Sequence, residues 1–383
     1  MANNKLKNLT EAADRIQQAV KNKEKIILYG DSDMDGVASV VLLQEAIKNV
    51  GGQVDLVMFP NREEDGYGVN MRAIEFLKDK SPCLFITLDL GIANVKEVDS
   101  LNQMGFEVII VDHHQLIGQL PAAKIIIDPY QPGDTTSFKE LCNGGITFKL
   151  CQELLPNMSL SLKNSLLELA ALSTIADMVP QVEDNKLFVQ GGLRSLPNTF
   201  RPGLRALLEI IGEGKAAENN YLSVIAALGV AESVDFKNES YELLTTSSQD
   251  RCKNIAEGLL AKIQLKQQKI QEIVSEVERR IAQNPEQPIV FEGDPAWRLV
   301  LAGSVASIIA SKYQKPTFIF KKMDKESAGS VRSLKEGQNS VEAMKSCSDL
   351  LITYGGHPKA SGFRVKNENL EDFKKGLIKY FTR

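Results

Sequence analysis

Imidazole is nearly absent from this chain: three histidines in 383 residues, beside one tryptophan and five cysteines. The cysteines (Cys83, Cys142, Cys151, Cys252 and Cys347) are odd in number and never form a C-x-x-C pair. That spacing excludes a disulfide scaffold or a zinc ribbon and predicts buried thiols in a reducing cytoplasm. No apolar run reaches the ~18 residues that cross a bilayer, so no membrane partner is expected. The N-terminal stretch "MANNKLKNLTEAADRIQQAV" has no continuous apolar segment of the kind an export signal needs and reads as an amphipathic helix. With 43% hydrophobic and 25% charged residues, the chain is neither disordered nor fibrous. Its length predicts two or three domains.

A net charge of −4 does not advertise a polyanion binder, but the charge is unevenly spread. From Leu301 onward there are 15 Lys and Arg against 8 Asp and Glu, a balance of +7; the first 300 residues therefore carry −11. An acidic body beside a basic C-terminal part suits carboxylates that hold cations, next to a lobe that holds a polyanion.

The first 130 residues alternate short apolar runs with helical patterns. Strands are predicted at 25–29, 54–59, 83–89, 107–112 and 124–128, with helices near 37–49, 69–79 and 93–104. Nearly uninterrupted Ile, Val and Leu runs separated by helices predict an α/β fold, with a doubly wound, mostly parallel sheet whose ligands lie beyond the carboxyl ends of the strands. From about Gly144 to Gln283 the character turns helical. Ile255, Leu259, Ile263, Ile270, Val274, Val277 and Ile281 recur at helical spacing and predict one long amphipathic helix. Strand signals return at 289–292, 317–322 and 362–365, with helices near 303–313 and 367–381. Three regions result: 1–195, a helical linker over 196–285, and a smaller α/β domain over 286–383.

Four clusters fall at element ends in the first half. "YGDSDMDG" places Asp31, Asp33 and Asp35 after a strand; in an extended segment this spacing would put all three on one side. Like charges so close repel unless a cation neutralises them, although an Asp-rich turn would use the same residue types. Asp89 ends an apolar strand in "FITLDLG", and Asp112, His113 and His114 follow another in "VDHHQL". Asp177 ends an apolar helix in "STIADMVP", where the helix dipole favours cations rather than acids. Together these offer hard oxygens and imidazole, a donor set for Mn²⁺ or Mg²⁺ rather than structural zinc. Two such ions can activate water and clamp both oxygens of an in-line phosphoryl displacement.

"GDSDMDG", "DGYGVN", "TLDLG", "VDHH", "CNGGITFKL", "TIADMVP" and "GGHPKASGF" occur in the order seen in the DHH phosphoesterase superfamily, and the chain most resembles its RecJ-type exonucleases. The likeness implies a DHH domain followed by a DHH-associated (DHHA1) domain. It implies that Asp31, Asp33, Asp35, Asp89, His113 and Asp177 hold two manganese or magnesium ions, with Asp89 as the bridge. Asp112 would orient its neighbours, and His114 would contact the scissile phosphate. "GSVRS" resembles a phosphate-binding stretch, which gives Ser330 and Arg332 to the substrate together with Gly355, Gly356 and His357. The implied activity is hydrolysis of single-stranded DNA from the 5′ end, with a replication or repair protein as a further expected partner.

The chain also departs from that pattern. "AALGVAESVDFKNESYELL" stands where a Pro-Arg-x-Asn-Ala-x-Gly-Arg stretch is usual, and Arg298 follows Trp297 where a histidine is usual. The sequence stops at Arg383 without an OB-fold, which predicts weaker or shorter-substrate binding. Two alternatives therefore stay open: a phosphodiesterase for short oligonucleotides or small nucleotides, and a scaffold that binds DNA without cutting it.

Overall fold

A computed structural model describes residues 5–382 apart from 117, 213–219 and 336, and leaves the side chain of His357 outside the described residues. Packing divides the chain into two units, 1–263 and 264–383.

The first unit opens with helix α1 (Leu9–Asn22), which buries Leu9, Ala12, Ala13, Ile16 and Ala19 along one face. Then follow β1 (Ile26–Gly30), α2 (Met34–Asn49), β2 (Leu56–Met58), α3 (Met71–Leu77), β3 (Cys83–Leu88), α4 (Val95–Gln103), β4 (Phe106–Val111) and β5 (Ile125–Ile127). The five strands form one parallel sheet in the order β2-β1-β3-β4-β5. Ile26 and Leu28 of β1 enter the core under α1 and α2, while Ile27 and Tyr29 enter the opposite core under α3 and α4. Burial on both faces is why the strands read as unbroken apolar runs.

Helices α5 (Asn143–Leu154), α6 (Leu160–Ala176), α7 (Glu183–Ser195), α8 (Pro202–Gly212), α9 (Asn220–Leu228) and α10 (Glu239–Thr245) complete the unit, with a small hairpin, β6 (Ser233–Val234) and β7 (Lys237–Asn238), before α10. Leu204, Leu207, Val224, Ala227, Leu243 and Leu259 share the core of the first sheet. The described residues of the expected linker up to 263 therefore pack as part of the first unit. The long helix appears as α11 (Gln249–Gln283), which begins in the first unit and ends in the second.

The second unit holds β8 (Val290–Asp294), α12 (Leu299–Tyr313), β9 (Thr317–Lys322), β10 (Glu326–Arg332), α13 (Ser340–Lys345), β11 (Leu351–His357), β12 (Ala360–Lys366) and α14 (Leu370–Phe381). Its sheet runs β11-β12-β10-β9-β8. Only β8 and β9 pair in parallel; the other three pairings are antiparallel, with a register shift between Leu351 and Thr353. Phe318, Phe320, Val331, Phe363 and Val365 pack on one face against Phe373 and Leu377 of α14. Val305, Ala306 and Ile309 of α12 pack with Ile319 on the other. Strands β10 and β11 were not signalled by the apolar pattern, because "ESAGSVR" and "LITYGGH" carry small residues where buried strands usually carry branched ones.

Candidate active site

In the order β2-β1-β3-β4-β5 the chain leaves β1 towards one side of the sheet and resumes at β3 on the other. The carboxyl ends of β1 and β3 thus flank the crevice where an open α/β sheet binds its ligands. Asp31 follows β1 directly, Asp89 follows β3, and Asp112 with His113 and His114 follows β4.

The first acidic motif does not stay extended. Asp31 ends the strand, Asp33 caps α2 by accepting from the Gly36 N–H (3.1 Å), and Asp35 lies in the first helical turn. One turn thereby sends the three carboxylates two ways. Asp31 and Asp33 face Arg62, whose Nε donates to Asp31 (2.6 Å) and whose Nη2 reaches both Asp31 and Asp33, the latter at 2.9 Å. Asp35 points inward, where the N–H groups of Asn143 (2.8 Å) and Gly144 (2.7 Å) and the hydroxyl of Ser173 donate to it. Those two N–H groups belong to the first turn of α5, which favours an anion. Gly144 is required there, since a Cβ would lie 2.2 Å from Ser173 Oγ and 3.2 Å from Asp35 Oδ1.

Asp89 adopts φ 66°, a left-handed conformation uncommon for a residue with a side chain. It is held by its N–H to the Val111 carbonyl (3.0 Å). The amide of Asn143, assigned by its hydrogen bonds, accepts from the same N–H (2.8 Å) and donates to Val111 (3.0 Å). The carboxylate is buried, and its Oδ1 has no hydrogen-bond partner. Burial, then Asp35, Asp33, Asp31 and Asp112, drive its pKa well above the usual carboxylate range. A buried carboxylate oxygen that makes no hydrogen bond, set among like charges, is costly unless a cation joins it.

His113 lies among these acids. Its Nε2 is 3.2 Å from Asp89 Oδ1 and 3.8 Å from Asp35 Oδ2, and its Nδ1 is 3.7 Å from Asp177 Oδ2. Asp177 is the C-cap of α6, and burial followed by the charge of Asp35 pushes it up to about 6. Potential ligand atoms fall into three overlapping groups, each within 4.8 Å: Asp31, Asp33 and Asp89; Asp35, His113 and Asp177; and Asp89, His113 and His114. The two groups that need no His114 match the sizes of two adjacent cation sites, and the oxygen-rich donor set suits Mn²⁺ or Mg²⁺.

Asp112 has a different setting. Its Oδ1 accepts from the N–H groups of His113 (2.8 Å) and His114 (3.2 Å) and meets His114 Nδ1 at 2.8 Å, while its Oδ2 accepts from the Ile92 N–H (3.0 Å). Burial opposes its charge, but these donors hold its pKa below the usual range. Burial likewise opposes the charge of His114, and Asp112 outweighs it, raising the imidazole. Tyr67 closes the group: its hydroxyl donates to the Asp89 carbonyl (3.0 Å) and lies 3.1 Å from His114 Nδ1.

The structure adds residues that pattern reading passed over. Arg62 and Tyr67 sit inside motifs but carry no strand or helix signal. Asp128, just past β5, is buried with Oδ2 unpartnered, and burial pushes it up to about 7; as one more strand-end acid it could have been found by the rule that found Asp89. Ser330, Arg332, Gly355 and Gly356 lie on β10 and β11 in the second unit. His357 ends β11 opposite Ala360, and its side chain is outside the described residues.

The DHH family N-terminal domain matches residues 25–174 and the DHHA1 domain matches residues 287–383. The chain therefore carries a DHH-family domain followed by a DHHA1 domain. It is 36% identical to the single-stranded-DNA-specific exonuclease RecJ of Bacillus subtilis (strain 168) over 97% of its own length and 47% of the relative's. It is 31% identical to the RecJ of Thermus thermophilus over 99% of its length and 55% of that protein. The chain thus spans about half the length of the curated relatives it matches. A crystal structure of exonuclease RecJ bound to manganese superposes with a TM-score of 0.80 at 28% identity, covering 99% of this chain and 95% of that one.

Proposed function

We propose that the chain is a phosphodiesterase that removes nucleotides from single-stranded DNA, 5′ to 3′, with two divalent cations, Mn²⁺ or Mg²⁺. The observation that carries this reading is the buried Oδ1 of Asp89, which makes no hydrogen bond and lies 3.2 Å from His113 Nε2, beside the Asp31–Asp33 pair and the Asp35–His113–Asp177 group. Manganese in the similar RecJ structure supports the same donor set. Asp31, Asp33 and Asp89 would hold one ion, and Asp35, His113 and Asp177, with Asp89 shared, the other. When bound, such a pair supplies Lewis acidity and a water that ionises near neutral pH.

The chain's own residues do the rest. Asp112 fixes His114 through Nδ1 and favours its charged form, so Nε2 can donate to a phosphate oxygen. The first turn of α5 fixes Asp35 from behind. Arg62, which bridges Asp31 and Asp33, offsets their mutual repulsion. In the second unit, Ser330, Arg332, Gly355, Gly356 and His357 would receive the strand. Under this reading the strand ends come from a replication or repair protein, because a single-strand enzyme acts only where a duplex has been opened. A cytoplasmic setting is supported by five free, buried cysteines, and no described helix is long and apolar enough to cross a membrane.

The test is incubation with Mn²⁺ and end-labelled substrates: 5′-phosphorylated single strands, a matched duplex, the RNA equivalent and a dinucleotide. Mononucleotides released from the 5′ end of the DNA strand alone are expected. Preference for the dinucleotide would replace this reading with the short-substrate one, and binding without cleavage would replace it with the scaffold.

A further inference from the structure

The hydrogen bonds to Asp35 are unevenly shared between its two oxygens. An ionised carboxylate offers about two acceptor positions on each oxygen. Oδ2 accepts one N–H, from Asn143 (2.8 Å), and lies 3.8 Å from His113 Nε2. Oδ1 accepts two donors, the Gly144 N–H (2.7 Å) and the Ser173 hydroxyl. Oδ1 is therefore full, and Oδ2 keeps one position open.

Ser173 reaches Asp35 from the helix that also carries Asp177. The two are one turn apart on α6, where the Asp177 N–H donates to the Ser173 carbonyl (2.9 Å), so they share a side of the helix. The hydroxyl thus meets Oδ1 from the side on which Asp35, His113 and Asp177 converge. Its position is tightly fixed. Ser173 is fully buried, and a Cβ on Gly144 would lie 2.2 Å from its Oγ and 2.8 Å from its Cβ. Cys142 Sγ lies 3.2 Å from the same Oγ; with the serine proton given to Asp35, any bond between these two has the thiol as donor. The two N–H groups of α5 already hold one oxygen of Asp35 each. The added hydroxyl takes the position that would let both oxygens reach a single ion.

We propose that Ser173 sets which cation this site takes: by filling Oδ1 it makes Asp35 a one-oxygen ligand, which suits Mn²⁺ or Mg²⁺ and disfavours Ca²⁺. Ca²⁺ collects about six to eight oxygens and often takes two from one carboxylate, whereas Mg²⁺ and Mn²⁺ fill an octahedron. The inference rests on the two-cation reading above and names the residue that selects the metal.

The test is calorimetric titration of the full chain, stripped with EDTA, with Mn²⁺ and separately with Ca²⁺; the binding phase lost in Asp177→Asn marks the site. Ser173→Ala removes the hydroxyl, supplies a strong helix former and leaves Cys142 its contact with Thr174 (3.3 Å). Mn²⁺ should bind about tenfold more weakly, the lower end for a lost outer partner of a ligand. Ca²⁺ should hold or tighten, because Oδ1 is open to it. The ratio of Ca²⁺ to Mn²⁺ affinity should thus rise about tenfold or more. Cys142→Ser disturbs the same cluster but leaves Asp35 its donor, and should keep the wild-type ratio. If Ser173 were merely structural, both ions would weaken together in its variant, and that result overturns the proposal. An unchanged ratio, or one that Cys142→Ser moves equally, does so too. Wild-type protein that binds Mn²⁺ and cuts single strands while Ser173→Ala keeps its ratio sinks only the role of Ser173. Wild-type protein that binds neither ion and cuts nothing sinks the nuclease reading itself.

Discussion

Replacing Asp89 with Asn should make the metal-free protein more stable and the metal-loaded protein inactive. Asparagine tolerates the left-handed backbone seen at this position, so the substitution removes charge without adding strain. Carboxylate oxygens of Asp31, Asp33 and Asp89 lie within 4.8 Å of one another, and two unit charges at that distance repel by about 3.5 kcal/mol at an effective dielectric of 20. Arg62 offsets part of this through Asp31 and Asp33, and His113 Nε2, 3.2 Å from Asp89 Oδ1, offsets part at Asp89 itself. A net gain of about 2 kcal/mol is therefore expected in EDTA, or about 4–8 °C in Tm for a unit of this size. Mn²⁺ at a hundredfold excess over its Kd should raise wild-type stability by about 2.7 kcal/mol, and this gain should largely vanish in the variant. Thermal unfolding with and without Mn²⁺, beside a nuclease assay, measures both effects. A variant that is less stable in EDTA, or that gains as much from Mn²⁺ as wild type, would refute the reasoning that the Asp89 carboxylate is held against its acidic neighbours for a cation.

Three further expectations follow from the same geometry. Gly144→Ala should push Ser173 and Asp35 apart and weaken Mn²⁺ affinity about 10–100-fold, read by metal titration of Tm while the circular dichroism spectrum stays native. His114→Ala should lower turnover about 10²–10³-fold with the Mn²⁺-induced rise in Tm preserved; loss of that rise would make His114 a ligand instead. Asp128 has a folded pKa raised to about 7, above its unfolded value of about 3.9. Its native form therefore binds more protons in that window, and wild type loses stability as pH rises from about 4 to 7. Asp128→Asn should remove that decline, worth up to about 4 kcal/mol at neutral pH, and urea melts at pH 5 and 7.5 would reveal it.

Much of the first unit was legible because its physics is one-dimensional. Strands β1, β3 and β4 are buried on both faces, so each reads as an apolar run, and an acid directly after such a run marks the functional edge of the sheet. Asp128, directly after β5, obeys the same rule. Other parts depend on contacts that no local pattern encodes. Asp35 differs from Asp31 and Asp33 only because α5, more than a hundred residues later, turns its first N–H groups upon it. Arg62 lies in a loop whose charges look solvated until Asp31 is placed opposite. Strands β10 and β11 escaped notice because their glycines and serines erase the hydrophobic alternation.

The register shift between Leu351 and Thr353 has a consequence of its own. β11 is the outermost strand of its sheet and exposes Ile352 and Tyr354, a combination that invites stacking of one molecule on another into fibres. An irregularity at this position twists the border away from flatness and denies a second copy a continuous ladder. The protein can thus expose Ile352 and Tyr354 on its border strand without becoming adhesive to itself.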